Sequence, residues 1–100
     1  PGVLDLDAIE AEAAFEPFVF RLGGREWTLP HLRALDRRVV AEADRGDVAA
    51  MNAAFREGLG DEFDEFNTLP LSLHGLDTLF RAWLEHSGMK PGESPASPRS

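Results

Sequence analysis

The chain has 100 residues, enough for one domain with a single modest hydrophobic core. Ten basic residues stand against eighteen acidic ones, and this formal net charge of −8 argues against binding to a nucleic-acid backbone, which requires a basic surface. There is no cysteine, no apolar run near the ~20 residues of a membrane span and no signal-peptide pattern, so we expect a protein of the reducing cytoplasm. The first residue is Pro1 rather than Met, which suggests a processed or trimmed start.

The first predicted element is a short helix over Ala8–Phe15. Asp5 or Asp7 is the expected N-cap, and the acids of the first turns suit the positive end of the helix dipole. Pro17 is expected to end the helix. Its apolar stripe is weak and comprises Leu6, Ile9, Ala13 and Phe15.

The sharpest local pattern is a β-hairpin over Pro17–Leu29. Apolar and polar residues alternate on both sides of Gly23-Gly24, and a glycine pair suits a two-residue turn because glycine accepts positive φ. The expected register pairs Phe18 with Leu29, Val19 with Thr28, Phe20 with Trp27, Arg21 with Glu26 and Leu22 with Arg25. An isolated hairpin is marginal in water, so its aromatic face must lie on another element.

Two helices are predicted next. The first begins at Pro30, which is tolerated in a first turn, and carries apolar residues at helical spacing as far as Ala43. Gly46 is expected to end it, and Asp47 to cap the second. The second helix presents Val48, Met51, Phe55 and Leu59 on one face, with Gly58 and Gly60 weakening its end.

The remaining pattern predicts a short acidic helix, a long amphipathic helix and a tail. Asp61 is expected to cap the short helix, with Phe63 and Phe66 inward. Ser72 is expected to cap the long one, which Gly88 stops. Its stripe is the most apolar in the chain and comprises Leu73, Leu76, Leu79, Phe80, Trp83 and Leu84. Met89–Ser100 is rich in Pro and Ser and is predicted to be a disordered tail.

The predicted fold is therefore α+β and mainly helical. One hairpin at residues 17–29 packs on a bundle of four to five helices, with the most apolar helix under it. Residues 1–88 form the single domain and 89–100 the tail.

No pattern of catalytic or ligand-binding residues is present. The three histidines, His31, His74 and His86, have no metal-site spacing around them. The acidic run 61–65 has neither the ligand order nor the glycine of a calcium loop, and acids at a helix N-terminus explain it better. No phosphate-binding glycine motif occurs. We therefore expect no enzyme, cofactor or metal, and look to binding instead.

The order of several phrases resembles a known protein family. Glu16-Pro17-Phe18-Val19-Phe20-Arg21-Leu22-Gly23-Gly24-Arg25-Glu26-Trp27-Thr28-Leu29-Pro30 follows a short acidic segment. Leu69-Pro70-Leu71-Ser72-Leu73 comes later, and Leu79-Phe80-Arg81-Ala82-Trp83-Leu84-Glu85-His86 precedes Gly92-Glu93-Ser94 and a Ser/Pro tail. Together these phrases resemble the tail assembly chaperones of long-tailed phages and prophages of actinobacteria, over nearly the whole chain.

The resemblance implies an assembly factor of the host bacterial cytoplasm. Such chaperones bind the long, helical tape measure protein and keep it soluble until tail tube protein polymerises around it, and they are absent from the finished particle. A longer form made by programmed frameshift, and homo-oligomers, are further possible partners. The alternative is a structural head–tail adaptor or tail terminator that is retained in the particle.

The surplus of large apolar side chains predicts a client-binding groove for an amphipathic helix. Our residue-level hypothesis lines this groove with Trp27, Phe80 and Trp83 and places Phe63 or Phe66 at its rim. The alternative, that all of these side chains are core, stays open on the sequence alone. The acidic surface favours solubility and, at most, basic or amphipathic partners.

Overall fold

The computed structural model describes residues 2–89. Within them the chain forms one two-stranded antiparallel sheet, five α-helices and two short 3₁₀ helices. The predicted fold class, mainly helical with one N-terminal hairpin, is confirmed. The elements in chain order are α1 Leu6–Glu12, β1 Phe18–Leu22, β2 Arg25–Leu29, a 3₁₀ helix Leu32–Ala34, α2 Arg37–Ala43, α3 Val48–Leu59, a 3₁₀ helix Gly60–Glu62, α4 Phe63–Thr68 and α5 Leu73–His86.

The hairpin has the predicted register at all five pairs, from Phe18 opposite Leu29 to Leu22 opposite Arg25. Gly23 and Gly24 have φ of +65° and +81°, the left-handed values that a turn of this kind requires. The apolar face lies on the core, where Trp27 and Leu29 are buried. Local turn chemistry and strand alternation therefore suffice to determine this element.

Arg25 connects the hairpin to α4. Its guanidinium lies 3.6 Å from the centre of the Trp27 ring and bonds the carboxylates of Glu62 and Glu65, each at 3.1 Å. Glu62 and Glu65 therefore bind the hairpin, beyond the interaction with the helix dipole that the sequence predicts for these acids. Because these ion pairs are exposed, they orient the two elements more than they stabilise them.

The helix predicted from Pro30 is divided in two. Leu32–Ala34 is a 3₁₀ helix, Leu35 is extended, and α2 begins only at Arg37. Asp36 causes the restart, because its carboxylate accepts the Arg38 backbone N–H at 2.8 Å and also bonds the Arg38 guanidinium. These bonds hold the pKa of Asp36 well below its usual range.

The other helix ends follow the sequence with small differences. Asp5 caps α1, Asp47 caps α3 and Ser72 caps α5, each through a side-chain oxygen that accepts a backbone N–H. The helix α1 ends at Glu12, earlier than predicted. The prediction for Asp61 is wrong, because Asp61 lies in the 3₁₀ helix before α4, and α4 has no side-chain cap.

The core lies between the hairpin and α3, α4 and α5. Trp83 and Phe55 are fully buried and stack at 5.3 Å between ring centres, and the Trp83 indole N–H donates to the Pro30 carbonyl at 2.8 Å. At Gly58 a side chain would meet Leu29 at 2.8 Å, so this glycine brings α3 close to β2. Two stripe residues, Val48 and Leu73, begin their helices and stay 44% and 63% exposed.

The predicted tail lies almost wholly outside the described residues. Only Met89 is described, and it is half-buried against the core with its N–H on the Leu84 carbonyl at 2.8 Å. Its inclusion in a tail with nothing to bury was wrong. The prediction for residues 90–100 is not addressed by the structure.

Candidate functional site: an apolar cleft between α2 and α5

The structure places the five predicted groove residues in the core. Their side chains are at most 7% exposed, which corrects the prediction that they line an open groove; the five are Trp27, Phe63, Phe66, Phe80 and Trp83. Their aromatic rings pack against one another. Trp27 lies edge-on to Phe66 with 5.8 Å between ring centres, and Phe80 lies edge-on to Trp83 with 6.4 Å between ring centres. Of the five, Phe80 alone also reaches the wall of the cleft described next.

An open cleft of about 930 Å³ lies on the other side of α5. We call it the α2–α5 cleft. Its walls come from the 3₁₀ helix 32–34, α2, the start of α3, α5 and Met89, while α1 and Phe15 border it from outside. Its apolar lining combines the half-buried side chains of Leu35 and Val40 with side chains that belong to the buried core, namely Leu32, Met51, Phe80 and Leu84. Its size and apolar walls match what ligand-binding clefts of proteins offer.

The break between the 3₁₀ helix and α2 creates this cleft. Leu35 is extended and half-buried, so it extends the apolar wall from Leu32 to Val40. The position of this segment depends on Ser87, whose hydroxyl accepts the Leu32 backbone N–H at 2.9 Å. Ser87 is 2% exposed and is the one buried polar residue among those described.

The rim of the cleft is richer in arginine than the rest of the chain. Four of the chain's ten basic residues line it, against the acids Asp44 and Asp77 of the walls; the four are Arg33, Arg37, Arg38 and Arg81. Asp36 and Asp77 neutralise Arg38 and Arg81. Arg33 and Arg37 form no ion pair within residues 2–89. With Glu10 of α1 and Asp36 included, the acids around the cleft balance its four arginines, so the cleft lacks the strong negative charge of the whole chain.

Aromatic and imidazole rings fasten the segment between α1 and β1 to the end of α5. Phe15 stacks on His31 at 4.8 Å, His31 approaches His86 at 5.6 Å, and Phe18 approaches His86 at 5.4 Å. His86 Nε2 also donates to the Glu16 carbonyl at 2.9 Å. This contact ties residues 15–16 to the body of the protein beside the cleft.

His31 is neutral in this arrangement. Its Nδ1 accepts the Arg33 backbone N–H at 3.1 Å, which requires an unprotonated nitrogen. Burial, followed by the nearby charges of His86 and Arg33, lowers the pKa of His31. Sequence reasoning treated the histidines as unrelated surface residues, because His31 and His86 are 55 positions apart.

A second, smaller depression of about 360 Å³ lies between the outer part of β1 and α5. Its apolar walls include Phe18, Phe20, Leu22, Leu71 and Leu79. Its volume is less than half the roughly 930 Å³ of the α2–α5 cleft. The α2–α5 cleft is therefore the better candidate for a binding site.

Other kinds of site find no support in the part of the chain that is described. Within residues 2–89, no three His, Asp or Glu side chains gather closely enough to hold a metal ion. No helix of that part has the length and hydropathy needed to cross a membrane. Comparison with family models, curated proteins and solved structures finds no match to this chain. Function has to be inferred from the cleft and from the sequence pattern.

Proposed function

We propose that this chain is a phage tail assembly chaperone of the type found in long-tailed actinobacterial phages and prophages. In the host cytoplasm it binds helical segments of the tape measure protein and keeps them soluble until tail tube protein polymerises around them. The observation that carries the proposal is the open apolar cleft between α2 and α5 in a small, strongly acidic chain. The resemblance of its phrases to that family supplies the client.

The chemistry of the cleft suits a helical client. Amphipathic helices dock their apolar face into grooves of this kind through residues spaced three and four apart. The walls offer aliphatic, aromatic and methionine side chains, and methionine adapts to varied apolar surfaces; Met51 and Met89 both line the cleft. A long client that repeats such helices would bind many copies of a weak chaperone, which gains by multivalency.

The net charge of −8 favours the solubility of a complex between this chain and its client. A chaperone that coats an apolar client must keep the complex from associating with itself, and a strong net charge of one sign does this by repulsion. The acids lie largely on exposed surface away from the cleft walls, so solubility and client binding use different parts of the molecule.

Co-expression with the long helical protein encoded just downstream tests the proposal. We expect the partner to be soluble, and to co-purify, only in the presence of this chain. Val40→Asp places a charge in the cleft wall and should abolish co-purification, with circular dichroism confirming that the variant is folded. The matched control is Leu73→Asp, since Leu73 is 63% exposed and lies outside the cleft.

Two results would contradict the proposal. One is a partner whose soluble yield is the same with and without this chain. The other is detection of the chain by mass spectrometry in purified phage particles, which would favour the structural adaptor instead. If Val40→Asp and Leu73→Asp lose client binding equally, the cleft is not the site at which the client binds.

A further inference from the structure

The first helix is an amphipathic element without a buried residue. Four apolar side chains of the N-terminal segment are strongly exposed: Val3 by 87%, Leu4 by 71%, Leu6 by 62% and Ile9 by 49%. Leu6 and Ile9 lie on one side of α1 at helical spacing, and Ala13 follows directly after the helix. A helix that leaves its apolar side in water gains by covering it with another apolar surface.

The nearest such surface is the α2–α5 cleft. Ile9, Glu10 and Ala13 already border the cleft, which separates them from walls that include Val40 and Met51. The exposed apolar side of α1 therefore faces the partly accessible apolar wall of the cleft within one chain. Both the apolar side of α1 and the cleft wall consist of several neighbouring apolar side chains. They differ in this from the single exposed apolar residues that are common on protein surfaces.

The attachment of α1 keeps it at this position. Residues 15–16 are held by the stacking of Phe15 on His31 and by the bond from His86 to the Glu16 carbonyl. Only Ala13 and Ala14 separate this attachment from Glu12, the last residue of α1. A helix on so short a tether is present at its own cleft at a high effective concentration, higher than a second copy reaches in dilute solution.

The charges of the two surfaces are complementary. Residues 2–20 contain no basic side chain and five acidic ones, namely Asp5, Asp7, Glu10, Glu12 and Glu16. The cleft rim carries Arg33 and Arg37, which make no ion pair within the described part of the chain. Charge pairs at a rim guide association and select the partner more than they add affinity.

We propose that α1 is the built-in occupant of the α2–α5 cleft: it closes on the cleft in the free chain and yields to a client helix of the same acidic, amphipathic chemistry. The client half of this statement rests on the proposed function, whereas the closure of α1 does not. The net charge alone favours basic or amphipathic partners, whereas Arg33 and Arg37 at the rim favour an acidic occupant for this site.

Thiol labelling in the full chain tests the closure. The chain has no cysteine, so Val40→Cys introduces a single thiol into the cleft wall. Ile9→Asp should release α1 and accelerate labelling at position 40 by about threefold or more, the change expected if α1 is closed two-thirds of the time. Ala11→Asp puts the same charge on the opposite side of α1 and should leave the rate unchanged.

Added peptides then test the chemistry of the occupant. A peptide of residues 2–16 should slow the labelling of the Ile9→Asp chain, and the same peptide carrying Ile9→Asp should not. Arg37→Glu should weaken the effect of the peptide, because Arg37 is exposed at the rim and its change reverses the attraction. A peptide of equal amphipathicity with lysines in place of its acids should be the weaker competitor.

Equal labelling rates in Ile9→Asp and Ala11→Asp would overturn the closure. Protection that disappears on dilution would overturn the intramolecular form, since it would assign the occupant to a second copy. Stronger binding of the lysine peptide would overturn the acidic preference. None of these measurements uses the client, so failure of the proposed function would appear only in co-purification, where Ile9→Asp should otherwise increase the client recovered.

Discussion

The two sides of α5 differ in how they are packed. On one side Trp83 and its aromatic neighbours form a core in which every ring meets another ring. On the other side Phe80 and Leu84 face an open cleft that only a short, exposed helix borders. The same amphipathic helix thus contributes to both the aromatic core and the wall of the cleft. The comparison separates residues that only hold the core from residues that also border the cleft.

Trp83→Ala should produce the largest difference between the two sides. It removes a fully buried ring that stacks on Phe55 and bonds the Pro30 carbonyl, so we expect a loss of about 3–5 kcal/mol in the free energy of unfolding. Leu6→Ala in α1 should change it by less than about 0.5 kcal/mol. Urea denaturation measures both. A stable Trp83→Ala protein that fails only in client binding would restore Trp83 to a groove.

Ser87→Ala comes next and affects the segment that shapes the cleft. The variant leaves the Leu32 backbone N–H buried without its acceptor, and a loss of about 1–3 kcal/mol follows. The exposed cap Ser72 offers a comparison, since Ser72→Ala should lose only about 1 kcal/mol. Denaturation measures both losses, and hydrogen exchange should also show a faster Leu32 amide in Ser87→Ala. Equal losses in the two variants would contradict a special role for Ser87.

Gly58→Ala tests how tightly the packed side is filled. Alanine is the better helix former by about 1 kcal/mol, but its methyl group would lie 2.8 Å from buried Leu29. We expect a net destabilisation of about 0.5–2 kcal/mol, measured by thermal unfolding. Glu57→Ala, on the exposed face of α3, should be neutral within about 0.5 kcal/mol. A stabilised Gly58→Ala would mean that β2 and α3 have room between them.

The smallest expected effect is a dependence on pH through His31. The pKa of His31 is lowered in the folded chain, so the unfolded chain binds a proton first as the pH falls through the ordinary value of 6.5. The free energy of unfolding should therefore decrease as the pH falls through 6.5 and level off below the lowered pKa. His31→Asn keeps an acceptor for the Arg33 N–H without a titrating group. If the free energy of unfolding of His31→Asn depends on pH as strongly as that of the unmodified chain, a group other than His31 causes the effect.

Local interactions decided how much of the fold was predictable. The hairpin register follows from Gly23-Gly24 and strand alternation, and the caps at Asp47 and Ser72 are single-residue signals. The break before α2 also had a local signal, since Asp36 is a strong N-cap residue, but the apolar spacing on both sides of it outweighed that signal. Tertiary packing decides whether the chain starts a new helix at the cap residue or continues the helix that the apolar spacing predicts. A short stretch of sequence does not contain that packing.

The site was less predictable than the fold, because apolar spacing shows which residues share a helix face and not which of them remain accessible. Trp83 and Leu84 are neighbours in the sequence stripe, yet only Leu84 borders the cleft. The cleft also depends on the contact of Ser87 with Leu32, across 55 positions. Of the five residues predicted for the groove, all lie in the core and only Phe80 also borders the cleft.

That contact has a consequence for the order in which the chain folds. The hairpin closes between neighbours, whereas Trp83 reaches Pro30 and Ser87 reaches Leu32 across 53 and 55 residues. Contacts of such separation form late, since the loop they close loses the most entropy. During synthesis the hairpin, α2 and α3 are made before α5, so Leu29 and Leu32 stay exposed to water until α5 packs over them. We expect the growing chain to need its C-terminal helix α5, more than any earlier element, before its core can close.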